Sequence, residues 1–491
     1  MCALAVALLC LLPLGFIAWA AAETGPARIV EVVWRPRVGE LLLNTVALVA
    51  VVVPATVVIG VAQALLVERT SLPGRRLLSV LFVAPLAVPA FVASYAWATV
   101  WPSISGLLGA SVVSVAAYAP FVYLPVLASV RRLDPALEES GRSLGLSGPA
   151  TLARVVLPQL RLSVLGGSLL VALHLLAEYG AFAYVRFDTF TTAIYDQYRS
   201  TFAGPAASML AGVLVLLCLA VLAGDASVRG RHRHARLGGG SARQPRLVAL
   251  GVWSVPALAA TAALIAATLG VPAYALVRWL SLTTGLDGDL VGALVSTLAY
   301  AALGGVVTCL AALPVAWLSE RRATRWPRVV EAVTYIGSSL PGMVVGLAFV
   351  AIALRATPAL YQTPVVLVAA YVVLFLPRAV ATLRGGIAQA PRSLEETART
   401  LGCTPAAAFC RVTLPILAPA LGAAAALTFL GVAGELTATL LLAPTGTETL
   451  ATRFWSLSSE IDYPGAAPYA LALVALSVPM TALLFRQSRE G

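Results

Sequence analysis

Apolar runs of about twenty residues, separated by short polar intervals, recur along the whole chain. Twelve of them lie at roughly 1–21, 41–66, 77–101, 107–130, 163–184, 204–224, 248–277, 290–318, 329–353, 361–382, 418–443 and 467–485. A helix of about twenty residues crosses a hydrocarbon core of about 30 Å, so each run predicts a membrane span. The expected fold is therefore all-α, polytopic and membrane-embedded. The first run carries a second reading, because Ala18-Trp19-Ala20 followed by Ala21 resembles a signal-peptidase site. That run is longer than a usual signal core and no positive segment precedes it, so a retained helix is expected. The bare start also leaves room for a longer natural reading frame upstream of Met1.

The polar intervals contain a repeat. Leu137-Glu138-Glu139-Ser140-Gly141-Arg142-Ser143-Leu144-Gly145 is answered 257 positions later by Leu394-Glu395-Glu396-Thr397-Ala398-Arg399-Thr400-Leu401-Gly402. Both copies run on to Arg154-Val155-Val156-Leu157-Pro158 and Arg411-Val412-Thr413-Leu414-Pro415. A repeat at fixed offset makes the chain two copies of one unit. The expected organisation is a first half at 1–224, a linker at 225–247 and a second half at 248–491, with six spans per half. What repeats is a polar loop within an oily sequence, which marks the loop as the working part.

Each loop reads as two short helices joined at a glycine corner. Asp134 is placed to cap the first helix with Pro135 at its first position. Leu137, Gly141 and Leu144 form an i, i+4, i+7 stripe, reproduced by Leu394, Ala398 and Leu401, whose small central residue would let a partner approach. Glu138–Arg142 and Glu395–Arg399 are i, i+4 pairs in the favourable order, each worth a few tenths of a kcal/mol. Gly145 and Gly402 suit a left-handed cap. Ser147 and Thr404 are placed to cap the second helix, which is expected to stop before Pro158 or Pro415. Adjacent carboxylates (Glu138 with Glu139, Glu395 with Glu396) point about 100° apart on a helix. With no catalytic partner nearby, they read as docking groups and not as an acid/base pair.

Composition narrows the class. Only 11% of the 491 residues are charged, against about 25% in soluble proteins. All 33 basic residues are Arg. Without Lys the chain has no phosphate-binding loop of the G-x-x-x-x-G-K-[ST] type, so any ATP that drives it is bound as ATP-Mg by another polypeptide, and no cofactor is expected in this chain. The +11 net charge sits between apolar spans, which speaks for orientation in a bilayer and against nucleic acid. With both termini placed in the cytoplasm, 25 Arg fall on that side and eight outside, consistent with the positive-inside bias. Both repeated loops are then cytoplasmic, and the duplication is parallel, with a pseudo-two-fold axis along the membrane normal, not inverted. The six cysteines show no C-x-x-C and read as small hydrophobes, with no disulfide framework and no metal site. The Arg- and His-bearing stretch 225–246 reads as a linker lying against anionic lipid, in preference to a metal-binding tract.

The loop pattern, E-E-small-small-R-x-L-G followed by R-V-x-L-P, resembles the EAA loop of ABC importer permeases. Two such loops in one chain resemble the fused permeases. Thr189-Phe190-Thr191-Thr192-Ala193-Ile194-Tyr195, Glu435-Leu436-Thr437-Ala438-Thr439-Leu440-Leu441-Leu442, Thr449 to Ser456 and Ala466 to Ala470 are similar to segments of ferric-iron (Fbp/Sfu-type) permeases. The resemblance implies a duplicated type I ABC importer permease in the bacterial inner membrane. It implies two copies of an ATPase subunit gripping Glu138, Glu139, Arg142, Gly145, Arg154, Leu157 and Pro158 in one loop. In the other they would grip Glu395, Glu396, Arg399, Gly402, Arg411, Leu414 and Pro415. It also implies a periplasmic or extracellular solute-binding protein and, as cargo, ferric iron, with thiamine permeases fused in the same way. The rival from another class is a secondary transporter with parallel repeats, which needs no cytoplasmic ATPase.

Glu178 and Glu435 obey the same 257-residue offset and fall inside apolar spans. Ionisable groups within a membrane face an interior or a cavity. Two readings stand: a symmetric pair lining the path of a cation, with Tyr179 packed beside it, or structural carboxylates hydrogen-bonded to Ser, Thr or Tyr neighbours. His174, one turn before Glu178, is expected to be a core residue.

Overall fold

The computed structural model describes residues 2–201, 204–229, 247–283, 285, 288–321, 325–337 and 340–490. Among these, regular structure is helical throughout, apart from an isolated parallel bridge between Thr70 and Val248. Nine helices carry the architecture and are labelled in chain order: α1 (Cys2–Thr24), α2 (Pro36–Arg69), α3 (Gly106–Arg131), α4 (Pro135–Ser143), α5 (Arg161–Ala177), α6 (Asp289–Arg321), α7 (Pro364–Gln389), α8 (Arg392–Thr400) and α9 (Leu414–Ala433).

Eight helices among the described residues are long and apolar enough to cross a membrane, and ten spans result if each of two bent pairs counts as one. Helix covers each of the twelve expected segments, but the third and fifth of each half are interrupted. The first-half third span is Arg75–Ala87 and Ala90–Val100, meeting at 92°. Pro89 causes the break: it pushes Val88 into extended backbone (φ −102, ψ 111) and supplies no N–H. Its counterpart is Arg325–Gly337 followed by Gly342–Ala356, where Pro341 stands before the second piece with the same backbone, ψ 143 against 142. The fifth spans end at Ala177, immediately ahead of Glu178, and at Ala433, one residue (Gly434) short of Glu435.

The chain divides into two compact units. One comprises Pro36–Thr192, Leu216–Leu282 and Ser477–Gly491. Its centre is the α2–α3–α5 triad, with Leu48, Val52, Val126, Leu127, Leu160 and Val171 buried together. Gly60 of α2 and Gly167 of α5 flank Val122 of α3; a Cβ at Gly167 would lie 2.7 Å from Val122 Cα, and one at Gly60 2.9 Å from Tyr123 N. Where lipid competes for apolar contact, such small residues let backbones approach and gain dispersion contacts. Gly251–Leu280, the first span of the second half, lays Leu258, Ile265 and Val271 on this core and packs against Ala90–Val100.

The other unit comprises Met1–Arg35, Ala193–Val215 and Thr283–Leu476. It has the equivalent α6–α7–α9 triad. Here α1, the first span of the first half, packs against Arg325–Gly337 and Gly342–Ala356, placing Ala3, Ala7 and Cys10 beside Val330, Leu376 and Val380. The compact units therefore cut across the halves 1–224 and 248–491, because each core receives its first span from the opposite half. The linker stretch 225–247 begins as the end of helix Gly204–Arg229, and 230–246 lie outside the described residues.

Candidate functional site: the repeated loops

The first loop folds as its local sequence dictates. Asp134 Oδ1 accepts from Ala136 N at 3.0 Å, and Pro135 opens α4. At the other end Gly145 has φ +88, Gly145 N donates to Arg142 O at 3.0 Å and Leu146 N to Gly141 O at 3.1 Å. These are the paired bonds of a Schellman cap, which a residue with a Cβ enters only at a cost. The second loop repeats them: Gly402 at φ +92, Gly402 N to Arg399 O at 3.0 Å and Cys403 N to Ala398 O at 3.0 Å.

Four local expectations require correction. Thr404 caps the second helix through Ala407 N at 3.2 Å, but Ser147 makes no side-chain cap. The second helix does not stop before proline. A π-helical turn, Leu152–Val156 in one copy and Phe409–Thr413 in the other, carries the chain into Pro158 and Pro415. The wider turn relieves the clash of the ring with the carbonyl four residues back and uses the R-V-x-L-P segment to do so. In the first copy the helix then bends by 64° into α5; in the second it runs straight into α9. The small residue of the stripe faces inward: a Cβ on Gly141 would sit 3.3 Å from Val155 Cγ2, and Ala398 is buried. Its stripe partners point out, with Leu144 84% and Leu401 81% exposed and Leu137 and Leu394 about half exposed.

The i, i+4 pairs are also replaced. Glu138 Oε1 lies 2.7 Å from Arg69 Nη1, and Glu395 Oε2 4.0 Å from Arg321 Nη2. Glu139, Arg142, Arg154, Pro158, Glu396, Arg399, Arg411 and Pro415 remain exposed, as is Leu157 at 39%, while Leu414 is half-buried. Each loop thus offers a leucine at a rigid corner, ringed by charges of both signs. Such a surface suits a protein partner. Among the described residues no three His, Cys, Asp or Glu side chains converge to hold a metal.

Glu178 and Glu435 stand at the breaks of the fifth spans, where they cap the next short helix. Glu178 accepts from Ala181 N at 2.9 Å and from Tyr118 Oη at 2.6 Å. Glu435 accepts from Ala438 N and Thr439 N, both at 3.0 Å, and from the hydroxyls of Thr437 (2.7 Å) and Thr439 (2.9 Å). Tyr179 is buried beside Glu178, at the entry to Gly180–Tyr184. His174 is only partly buried and not the core residue expected, its Nδ1 2.8 Å from Leu170 O and its ring 4.4 Å from Phe121. The T-x-x-T segments that follow are caps as well: Thr189 N donates to Thr192 Oγ1 at 2.9 Å and Thr449 N to Thr452 Oγ1 at 2.8 Å. Their capping-box spacing was the available signal.

Two loops of one design, each beside its own helical triad, mean two copies of one unit. The profile of the family described as binding-protein-dependent transport system inner membrane component matches residues 34–229 and again 310–489. The chain belongs to this family. Its members are permease subunits of ABC importers, and it is accordingly a transport subunit, not an enzyme. It is 34% identical to the Fe(3+)-transport system permease protein FbpB 2 of Haemophilus influenzae over 95% of this chain and 93% of that protein. It is 22% identical to the ferric transport system permease protein FbpB of Actinobacillus pleuropneumoniae, over 77% of this chain and 58% of that one. The sulfate transport system permease protein CysT of Escherichia coli is 29% identical over 44% of this chain and 86% of its own length. The family works with an ATPase and a substrate-binding protein, and its setting is the inner membrane.

Proposed function

We propose that this permease carries ferric iron through the membrane and that residues 134–158 and 391–415 each dock one ATPase subunit. Nearly full-length similarity to the Haemophilus ferric permease supports the cargo. The sulfate permease covers only one half of this chain, which supports a single polypeptide doing the work of a permease dimer, with two ATPase copies below it. The Arg bias puts both loops and both termini in the cytoplasm. ATP-Mg is bound and hydrolysed on the partner. Nucleotide and loaded binding protein shift the bundle only in so far as they differ in affinity for its inward- and outward-open states.

The observation that carries the docking reading is the duplicated corner: Gly145 and Gly402 with the same positive φ and cap bonds, each presenting an exposed leucine. For Glu178 and Glu435 the hydrogen bonding supports the structural reading over the path-lining one. Uptake of radiolabelled ferric iron by proteoliposomes holding permease, ATPase and binding protein tests the whole. The expected result is ATP-dependent uptake that unlabelled sulfate or thiamine does not compete away. ATP-independent uptake by the permease alone would restore the secondary-transporter reading, and competition by sulfate or thiamine would reassign the cargo.

A further inference from the structure

We infer that each half transmits movement of its docking loop to the membrane core through a relay of two ion pairs, Arg131–Glu68 with Arg69–Glu138 and Arg384–Glu320 with Arg321–Glu395. The inference rests on the loops being the ATPase-docking elements. The middle of each relay is a Glu-Arg dipeptide on the last turn of a core helix, Glu68-Arg69 on α2 and Glu320-Arg321 on α6. Adjacent helical residues project about 100° apart, so one dipeptide faces two neighbours at once. Its carboxylate meets an Arg of the next core helix: Arg131 Nη2 of α3 is 2.7 Å from Glu68 Oε1, and Arg384 Nη2 of α7 is 3.4 Å from Glu320 Oε2. Its guanidinium meets the first Glu of the loop helix, at 2.7 Å for Arg69–Glu138 and 4.0 Å for Arg321–Glu395. The same four roles recur in both halves, which a chance surface pairing does not explain.

Packing makes the charges matter. In α4 only Gly141 is buried, and in α8 only Ala398, each turned toward its own loop. The loop helix is therefore not held to α2 or α6 by an apolar face. Arg69–Glu138 ties the first loop to α2. In the second half Arg392 of α8 also donates to Glu320 O (3.2 Å) and Arg321 O (3.0 Å), and Arg321 Nη2 to Ala390 O (3.2 Å), beside the Arg321–Glu395 pair. The Arg69–Glu138 pair is shielded from water: its side chains are 11% and 17% exposed. Arg69 Nε and Nη2, Arg321 Nε and Glu138 Oε1 itself are buried with no hydrogen-bond partner among the described residues. Arg69 and Glu138 thus meet as charges without an aligned hydrogen bond, and removing the loop glutamate leaves a half-desolvated cation. A loop displaced by its ATPase would drag α2 or α6, and through the second pair α3 or α7.

The two relays differ in tightness. Arg384 makes its closest contact with Glu331, outside the relay, and a cleft of about 680 Å³ lies against Arg321, Glu395, Trp317 and Phe409. The first-half relay is the stiffer strut.

The test uses the complete importer in proteoliposomes, reading ions transported per ATP hydrolysed, with ATPase copurification as the check on folding and docking. Arg69→Gln should keep the ATPase bound and hydrolysing while transport per ATP falls roughly tenfold, within the range of ordinary coupling energies. Arg69→Lys, which restores a charge to a contact made through one nitrogen, should recover most of it. Arg321→Gln should lose about threefold, the looser pair carrying less of the coupling. Wild-type stoichiometry in Arg69→Gln, or equal impairment in Arg69→Lys, overturns the relay. Should Arg69→Gln fail to assemble, the same criteria apply to Arg321→Gln and Arg321→Lys. Failure of the unmodified permease to bind any ATPase would instead sink the docking reading itself.

Discussion

Replacing Glu435 separates a structural carboxylate from one that meets the cargo. Its two oxygens accept from two backbone N–H groups and two threonine hydroxyls at the break of the fifth span. In Glu435→Ala the Thr439 hydroxyl has other outlets, since Thr439 Oγ1 already donates to Glu435 O at 3.0 Å and lies 2.8 Å from Tyr371 Oη. The N–H groups of Ala438 and Thr439 do not, and each orphaned buried donor costs about 1–3 kcal/mol. The loss is thus about 2–6 kcal/mol. Glu178→Ala strands at least one backbone donor, Ala181 N, and one hydroxyl, Tyr118, for a comparable loss of about 2–6 kcal/mol on the same scale. The assay is the unfolding midpoint of purified permease in detergent, set beside iron uptake per folded molecule. Glu435→Ala and Glu178→Ala should each lower the unfolding midpoint, with uptake per folded molecule retained. Wild-type stability together with abolished uptake would refute the capping argument and place the carboxylate on the cargo's path.

The corner glycines give a cleaner perturbation, because a Cβ at Gly145 or Gly402 meets nothing within 4 Å. Gly145→Ala with Gly402→Ala should therefore cost only left-handed backbone strain, roughly 1–2 kcal/mol per site, seen as a modestly lowered unfolding midpoint together with weaker ATPase affinity. Leu144→Asp with Leu401→Asp should abolish ATPase copurification while leaving yield and helicity by circular dichroism intact, since both leucines are over four-fifths exposed. Gly167→Val should lower the unfolding midpoint sharply, because its Cβ would fall 2.7 Å from Val122 Cα and 2.9 Å from Phe121 O, and backbone cannot yield as a side chain can. Gly342→Ala should act likewise in the other unit, its Cβ overlapping Thr437 Oγ1 and lying 2.8 Å from Glu435 Oε1.

Whatever depends on neighbours in the chain was legible before any coordinates. Apolar run length set where the long helices lie, the 257-residue offset set the duplication, and Asp134-Pro135 with the Gly145 and Gly402 corners set the loop helices, because caps and helical runs are decided within a few residues. Tertiary structure decided what joins distant segments. Glu138 prefers Arg69 to Arg142 because the loop helix lies against the end of α2, where the pair is shielded from water, whereas an i, i+4 pair would stay in it. The first spans pack on the core of the opposite half, a choice between two apolar partners that composition alone does not address. The breaks at Glu178 and Glu435 sit in segments that read as continuous spans; what stabilises them is a carboxylate satisfied by donors that only the folded chain brings within reach.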